Sequence, residues 1–487
     1  HDWRLDISRD LPVSKFFGPV WSRDEVLLIV KDPRGVKHFL KDAFDKYSKS
    51  DPKRDLPIYY LNEFLGSGIF TTIHGAGSAD GGKTWSAQRK TAAAIFSRAN
   101  FNSQMREVFL AKAKRLCGLL SEGRATDMQL HFFSFTMDSI MKIFFGKDSD
   151  QVGGEDNSYG TAFDNAHRAF FDFAISCLPL YAVIKYLPWP FGGHGLALRL
   201  VERLSPVHGD FRAARAVLDT ESRRLVEDCR SDPHLAARSD LLALFVQAEA
   251  NGAKRFTTEE LRDTVLNFII AGRDTTACAL SWMFYILATH PELQRRVAEE
   301  VDQTHPAGKD PTLQSVKPDA VPLLHGLLYE ALRLYPPVPF DMKQCFVADV
   351  LPDGTNVPVG AKLLFLPYAM GRDPERYPDP EVVRPERWIP WKDKAPSHHE
   401  FPVFQAGPRL CLGIDMAVFE AKIAATVLLR DWTFELAPGE AEKIHYGPKL
   451  TMSVCNSKEQ DSEHLWLVPT RRRRATASSG RFAASAD

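Results

Sequence analysis

Apolar residues recur at spacings of three and four over residues 84–96, 104–117 and 129–145, none of which contains a Gly or Pro. That period predicts three amphipathic helices. A shorter run of the same kind, 33–44, predicts a brief helix, whereas 26–30 alternates too little to decide between helix and strand. Residues 172–195 are aromatic and broken by prolines, which predicts a loop. Residues 196–229 carry alternating charges and predict a long surface helix broken at Pro206. The longest helical period spans 258–290. Thr257 or Thr258 can cap it, Glu260 falls in its first turn, and its middle (266–281) is mostly apolar, which predicts a helix through the core. Pro291 opens another helix, and 323–335 reads as helical despite Gly326 until Pro336-Pro337 stops it. Short strands are expected at 344–350 and 361–366, on either side of the turn Pro352-Asp353-Gly354. Residues 373–402 are rich in Pro and Arg and read as irregular. No internal repeat is present. The pattern predicts a mainly α fold with a small β region.

Composition narrows this picture. The chain has 487 residues, and 32 Phe and 9 Trp supply apolar material for a large core. Nothing marks a clean boundary, so residues 1–470 are expected to form a single domain. It would comprise an N-terminal β/helix part (about 1–75), a helical body (about 84–340) and a loop with the last helix (404–430). Residues 471–487, four arginines followed mainly by Ala and Ser, are expected to be a disordered tail. The net charge of −1 argues against nucleic acid as a partner. Cys117, Cys177, Cys229, Cys278, Cys345, Cys411 and Cys455 are scattered singly, which fits a reducing compartment and neither a disulfide framework nor a zinc site. No run has the length and purity of a membrane span; the nearest, 174–191, contains Lys185 and three prolines. The chain begins at His1, so an upstream signal or anchor stays open.

The most informative segment is Phe404-Gln405-Ala406-Gly407-Pro408-Arg409-Leu410-Cys411-Leu412-Gly413, followed by a helical run at 416–429. A helix N-terminus favours a thiolate at Cys411, through its partial positive charge and free N–H groups. Gly407 and Gly413 leave room for a flat cofactor near the backbone, Arg409 can reach an acidic group on it, and Phe404 can pack on its face. Taken alone, a single cysteine such as Cys411 reads better as a buried structural residue.

The pattern Phe-x-x-Gly-x-Arg-x-Cys-x-Gly closely resembles the haem loop of the cytochrome P-450 family. The resemblance implies that Cys411 is the axial thiolate of haem b, which pushes electron density toward iron and favours O–O cleavage. Ala271-Gly272-Arg273-Asp274-Thr275-Thr276, inside the long helix, resembles the family's oxygen-activating segment. It implies that Asp274 and Thr275 deliver protons to bound dioxygen and that Ala271 and Gly272 border the oxygen pocket. Thr275 can also bond back to the Ala271 carbonyl and loosen one rung of the helix. On its own the hexad reads as a helix Gly beside a solvent-facing Arg-Asp pair.

Glu330 and Arg333 share a helix face. They could be an exposed pair worth little, but apolar flanks argue for burial. Arg387, in Arg384-Pro385-Glu386-Arg387-Trp388, resembles the family's third partner in a Glu-Arg-Arg network behind the haem loop. Trp85 and Arg89, four apart, resemble the family's haem-propionate helix; alone they read as an amphipathic helix with a snorkelling Arg. A further propionate cation usually follows the Pro-rich turn in this family, and the nearest candidate here is Lys343.

One competing motif is Gly77-Ser78-Ala79-Asp80-Gly81-Gly82-Lys83-Thr84, which satisfies the phosphate-loop pattern after a strand-like run at 69–73. No apolar strand ending in a magnesium-binding Asp follows it, and no strand–helix alternation surrounds it. His398-His399-Glu400 reads as a solvated loop, because adjacent residues cannot easily converge on one ion.

The resemblance spans about 51–469 and implies a haem-dependent monooxygenase that inserts one atom of O2 into a C–H bond of a lipophilic substrate. No flavin or nicotinamide fingerprint is present, so electrons are expected from NADPH through a separate flavoprotein reductase. The strings 88–92, 271–276 and 404–409 look most like the fatty-acid omega-hydroxylase branch of plants, algae and fungi. Phe170, Phe171, Phe268, Val338, Phe340 and Met452 are the candidate pocket walls. By the same resemblance the protein is expected at the cytosolic face of the endoplasmic reticulum membrane. The alternatives are a haem-thiolate isomerase or lyase of hydroperoxides, which has no use for a proton relay, and a phosphate-loop nucleotide-binding protein.

Overall fold

The computed structural model describes residues 13–473 apart from 18–25, 53–54, 94–95, 97–103, 155–157, 177–193 (180 and 183 excepted), 251–254, 307, 390–394 (393 excepted), 448–449 and 458–461. Twelve longer helices are described: α1 (Leu56–Leu65), α2 (Lys83–Ala93), α3 (Arg106–Leu119), α4 (Met128–Phe145), α5 (Ser158–Ser176), α6 (His194–Leu204), α7 (Pro206–Arg230), α8 (Leu241–Ala250), α9 (Thr258–Thr289), α10 (Pro291–Thr304), α11 (Pro322–Leu334) and α12 (Ile414–Asp431). The strands are β1 (Val13–Phe17), β2 (Val26–Val30), β3 (Tyr47–Ser48), β4 (Thr126–Asp127), β5 (Asp341–Cys345), β6 (Asp349–Val350), β7 (Asn356–Val357), β8 (Lys362–Phe365), β9 (Trp432–Leu436), β10 (His445–Tyr446), β11 (Val454–Cys455) and β12 (Trp466–Arg471). The fold is mainly α, as the periodicity predicts.

Helix α9 is the axis of the molecule. Thr257 Oγ1 accepts the Glu260 amide at 3.1 Å, and Glu260 Oε2 accepts the Thr257 amide at 2.9 Å. This reciprocal cap satisfies two donors that a helix start leaves without partners. Nearly every α9 residue from Leu261 to Phe284 is buried, on all faces, as a helix through a core requires. Helix α4 packs along it, with Phe144 and Phe268 edge to face at 5.5 Å. Asp127 caps the start of α4 through the Leu130 amide, and Gly146, at φ 71°, ends it. Helix α12 lies against α3 through Phe109 and Phe419.

The main sheet has the order β1-β2-β8-β5-β3. Only β2 and β8 run parallel, with Leu28 opposite Leu363. The undecided run 26–30 is therefore a strand, nearly all buried. A second sheet has the order β4-β12-β9.

Four expectations need correction. The run 33–44 is not one helix: one α turn (Pro33–Lys37) passes into a π turn (His38–Asp42). Residues 172–176 continue α5 rather than starting a loop. The helix at 196–229 breaks at Pro206 as expected, with Ser205 extended (ψ 119°), but it is not a purely surface element: α6 and α7 bury Ala197, Val201, Phe211 and Leu218 in the core. Finally, the tail does not begin at Arg471. That residue ends β12, and Arg472 pairs with Asp302 at 2.7 Å.

Candidate active site

The loop before α12 presents Cys411. Its amide donates to the Phe404 carbonyl at 2.9 Å, which folds residues 404–411 back on themselves. Gly407 takes φ +63°, and a Cβ there would overlap the Leu40 carbonyl, so glycine is required at this point. Arg89 Nη2 donates to the Leu410 carbonyl at 2.5 Å, and the Gly413 amide points at Cys411 Sγ, 3.3 Å away.

Cys411 combines two properties. It is exposed, yet burial pushes its thiol pKa up, against the lowering effects of the Gly413 amide and Arg89. A thiol that is accessible yet largely surrounded by protein sits in a recess of the fold. The helix-dipole effect therefore does not by itself ionise this thiol, and a bound metal would, since a coordinated thiol is deprotonated outright.

Helix α9 shows a gap in its burial. Within 261–284, only Ala271, Gly272 and Thr275 are half-buried, all on one helical face. Thr275 Oγ1 donates to the Ala271 carbonyl at 2.6 Å. A Cβ on Gly272 would overlap Ile140 Cδ1 of α4, so the missing side chain also serves close helix packing.

Asp274 is fully buried and does not face solvent. Arg273 Nη1 donates to it at 2.9 Å and also reaches Asp164. His167 Nδ1 lies 3.1 Å from the other Asp274 oxygen. Burial raises the Asp274 pKa, but Arg273 and His167 hold it below the ordinary value. The pairing with α5 had no signal in the sequence, since Asp164 and His167 lie more than 100 positions away.

On α2, Trp85 and Arg89 share a face, and the Arg409 guanidinium stacks over Trp85 at 4.7 Å. Arg409 donates to the Thr72 carbonyl (2.7 Å), the Ile69 carbonyl (3.2 Å) and His74 Nδ1 (2.8 Å). Among the described residues neither Arg89 nor Arg409 has a carboxylate partner. Burial pushes Arg409 down to about 10 and lowers Arg89. Nearby Lys343 is pushed down by burial, although Asp341 bonds it at 2.5 Å. Lys49 shares the same Asp341, and Gln405 Nε2 donates to it. Buried Lys343 and half-buried Lys49, Arg89 and Arg409 thus outnumber the one carboxylate, Asp341, among them. This cationic surplus fits an acidic cofactor. His74, which the sequence reading missed, carried no motif.

Glu330 and Arg333 are both fully buried. Arg333 binds Glu330 through Nε (2.6 Å) and Nη2 (2.9 Å). Arg387 Nε, the Arg384 amide and Trp388 Nε1 add donors at 3.2, 2.8 and 3.1 Å. Arg333 Nη1 reaches the Gly371 and Pro380 carbonyls, and Arg387 Nη2 those of Pro378 and Asp379. Trp388 then packs on Phe401 at 5.1 Å, just before the Cys411 loop.

The proposed pocket walls are spread. Phe170 stacks on Phe64 at 6.0 Å, and Phe268 meets Phe144. Phe171 lies in α5, but its side chain is outside the described residues. Val338 and Phe340 are half-buried, Phe340 against the main sheet, and the Met452 amide bonds the Pro337 carbonyl at 2.9 Å. Phe404 is half-buried against the main core.

The phosphate-loop candidate has no strand before it; residues 69–73 are turn and coil. Asp80 accepts from Ser78 Oγ and from the Gly82 and Thr84 amides at 2.6–2.8 Å. The loop's donors are therefore taken by its own carboxylate, which leaves no cradle for phosphate.

The family profile "Cytochrome P450" matches residues 12–461. The chain belongs to the cytochrome P450 family. Curated relatives agree. "Cytochrome P450 CYP94D108" of Paris polyphylla is 32% identical over 462 residues, covering 91% of this chain and 84% of the relative. "Cytochrome P450 94C1" of Arabidopsis thaliana is 31% identical over 466 residues (93% and 87%). "Cytochrome P450 704C1" of Pinus taeda is 30% identical over 505 residues (96% and 89%). The P450 is thus a haem-dependent monooxygenase that uses haem b, O2 and electrons from a reductase partner on a lipophilic substrate. The isomerase alternative finds no support among these relatives. Among the described residues, no helix is long and apolar enough to cross a membrane.

Proposed function

We propose that this P450 hydroxylates the alkyl chain of a fatty acid, at or near its methyl end. One observation carries the assignment of the site: Cys411 is accessible on the folded loop before α12, and within 261–284 α9 is open only at Ala271, Gly272 and Thr275. In this reading Cys411 would hold the haem iron through its sulfur. Trp85, Arg89 and Arg409 bind the cofactor's carboxylates, with Lys343 as a further buried cation. Phe404, Gly407 and Gly413 shape the loop against the cofactor. Glu330, Arg333 and Arg387 fix that loop from behind.

Haem, when bound, supplies the activation of dioxygen. Two protons are needed to release one oxygen atom as water, and Asp274 and Thr275 hold the groups that can pass them. Thr275 donates its own proton to the Ala271 carbonyl, which leaves its oxygen lone pairs free to accept another from the interior. Asp274, buried against Arg273 and His167, is the titratable group next to it. Ala271 and Gly272 keep this stretch of α9 clear of side chains, and apolar walls around Phe268, Val338, Phe340 and Met452 exclude water.

Three sequence strings (88–92, 271–276 and 404–409) support the fatty-acid substrate, and an apolar, aromatic surround suits an alkyl chain. Incubation with reductase, NADPH and lauric or oleic acid is expected to give terminal alcohols. Turnover of sterols alone would refute the substrate, and conversion of lipid hydroperoxide without NADPH would favour the isomerase. We place the protein at the cytosolic face of the endoplasmic reticulum membrane, in contact with the lipid surface. Fractionation of tagged protein with microsomal markers tests that placement.

A further inference from the structure

The segment 66–73, between α1 and α2, lies flat on α9 with several backbone groups taken by α9 side chains. The Ser67 amide donates to Asp263 Oδ2 at 2.7 Å. The Phe70 amide donates to Asn267 Oδ1 at 3.1 Å, and Asn267 Nδ2 returns a bond to the Leu65 carbonyl at 2.8 Å. Asn267 is fully buried and Asp263 nearly so. Asn267 also bonds the Asp263 carbonyl one turn earlier, which fixes its amide orientation. The glycines fit this approach: a Cβ on Gly66 would overlap the Asp263 carboxylate, and one on Gly68 the Asn267 amide.

The other side of the segment is tied down too. Gln88 Nε2 of α2 donates to the Ser67 carbonyl at 2.9 Å, and Arg409 holds the Ile69 and Thr72 carbonyls. Residues 263, 267 and 271 follow at i, i+4 and i+8 on one helix face. Ala271 opens the half-buried gap in α9 described above, so the segment covers this face of the helix one turn before that gap begins. Asp263 is itself braced: Arg262 Nη1 donates to its Oδ1 at 2.6 Å, and Arg262 Nη2 lies 3.2 Å from Asp219 of α7.

We propose that Asp263 and Asn267 are positioning residues that latch the segment 66–73 as an end wall of the substrate pocket, and that the latch excludes wide, rigid ring systems while an alkyl chain fits beside it. The wall rests on the monooxygenase pocket lying along Ala271–Thr275. Neither residue touches the reacting atoms; both act through the backbone they hold. Loosening either one lets the segment lift from α9 and widens the pocket at that end.

The test compares wild type with Asn267→Ala, Asp263→Ala and Asp263→Asn, all as haem-loaded protein. Gly68→Ala disturbs the latch from the opposite side without altering α9, and covers the case in which an α9 variant fails to fold. Amide hydrogen exchange of residues 67–72 is read first and needs no substrate. Exchange is expected to rise about tenfold in Asn267→Ala, Asp263→Ala and Gly68→Ala, since local opening is governed by the bonds that resist it. Asp263→Asn, which keeps an acceptor for Ser67, should stay within about threefold of wild type. Spin-state titrations with dodecanoic acid and with ergosterol are read second. The loosened variants should bind the acid several-fold more weakly and gain ergosterol binding, with an unchanged reduced CO spectrum. Unchanged exchange, or raised exchange with the ratio of the two affinities unmoved, overturns the proposal. If wild type prefers ergosterol, the fatty-acid reading fails while the exchange result still decides the latch.

Discussion

Replacing Glu330 by Ala removes the acceptor at the centre of five hydrogen bonds. Arg333 keeps its carbonyl partners at Gly371 and Pro380 but loses the carboxylate that neutralises it, in a site with no solvent access. Removing one member of a buried pair costs about 3–5 kcal/mol, because the other charge is left uncompensated. Unfolding entropy near 2.1 cal/mol/K per residue gives roughly 1 kcal/mol/K for a chain of this length, so the melting temperature should fall by roughly 4 °C. The larger effect is on the loop. Trp388 loses its acceptor and with it the orientation of the ring against Phe401, so the Cys411 loop is no longer set. Haem content, read as pyridine haemochrome per protein, should fall at least tenfold. The double variant Glu330→Leu/Arg333→Leu separates the effects: it removes the unpaired charge and should recover melting temperature without recovering haem. Full haem content in Glu330→Ala, or haem recovered in the double variant, would refute the reasoning.

Other outcomes follow from the same contacts. Arg89→Ala frees the Leu410 carbonyl and removes a buried cation, so haem affinity should fall, read as faster haem transfer to an apo-acceptor protein. Thr275→Ala should lower product per NADPH several-fold while hydrogen peroxide release rises, and turnover driven by added peroxide should change little. Lys83→Ala should leave haem content and turnover unchanged, whereas nucleotide binding by wild type that Lys83→Ala abolishes would revive the phosphate-loop reading. His74 is held neutral: burial, then Arg409, pushes its pKa down to about 3. The unfolded chain takes up this proton near pH 6.5 and the native protein does not, so stability should drop as pH falls from 6.5 toward 3, by at most about 1.4 kcal/mol per unit. Melting temperatures between pH 6.5 and 5 should decline less steeply in His74→Gln, and an equal slope contradicts the assignment.

The helices at 84–96, 104–117 and 129–145 were legible because their apolar period has no Gly or Pro interruption, and that at 258–290 because its length and its Thr257-Glu260 cap outweigh the single Gly272. Helices α1, α5 and α8 escaped notice. Helix α1 starts at Asp55-Leu56-Pro57 in a polar stretch, and α8 is apolar on most faces, so neither of these two has a marked period. The strand at 26–30 was undecidable because both its faces are buried, which erases alternation. In the site, local motifs pointed to Cys411, Arg409, Trp85, Arg89, Glu330 and Arg333, since each lies within a few residues of its signature. Partners joined only by folding were not legible: His74 on Arg409, Asp164 and His167 around Arg273-Asp274, and the hold of Asp263 and Asn267 on residues 67–70. These contacts bridge about 100 to 335 positions and obey no spacing rule.

The account stands on Cys411 Sγ as the iron ligand. The most direct measurement is the absorption spectrum of the reduced, CO-bound protein beside that of Cys411→Ser, each expressed with ample porphyrin. Wild type should show a strongly red-shifted Soret band, and the variant should lose it together with oxidative turnover. A colourless wild type, or a Cys411→Ser protein with unchanged pigment, spectrum and turnover, contradicts the account.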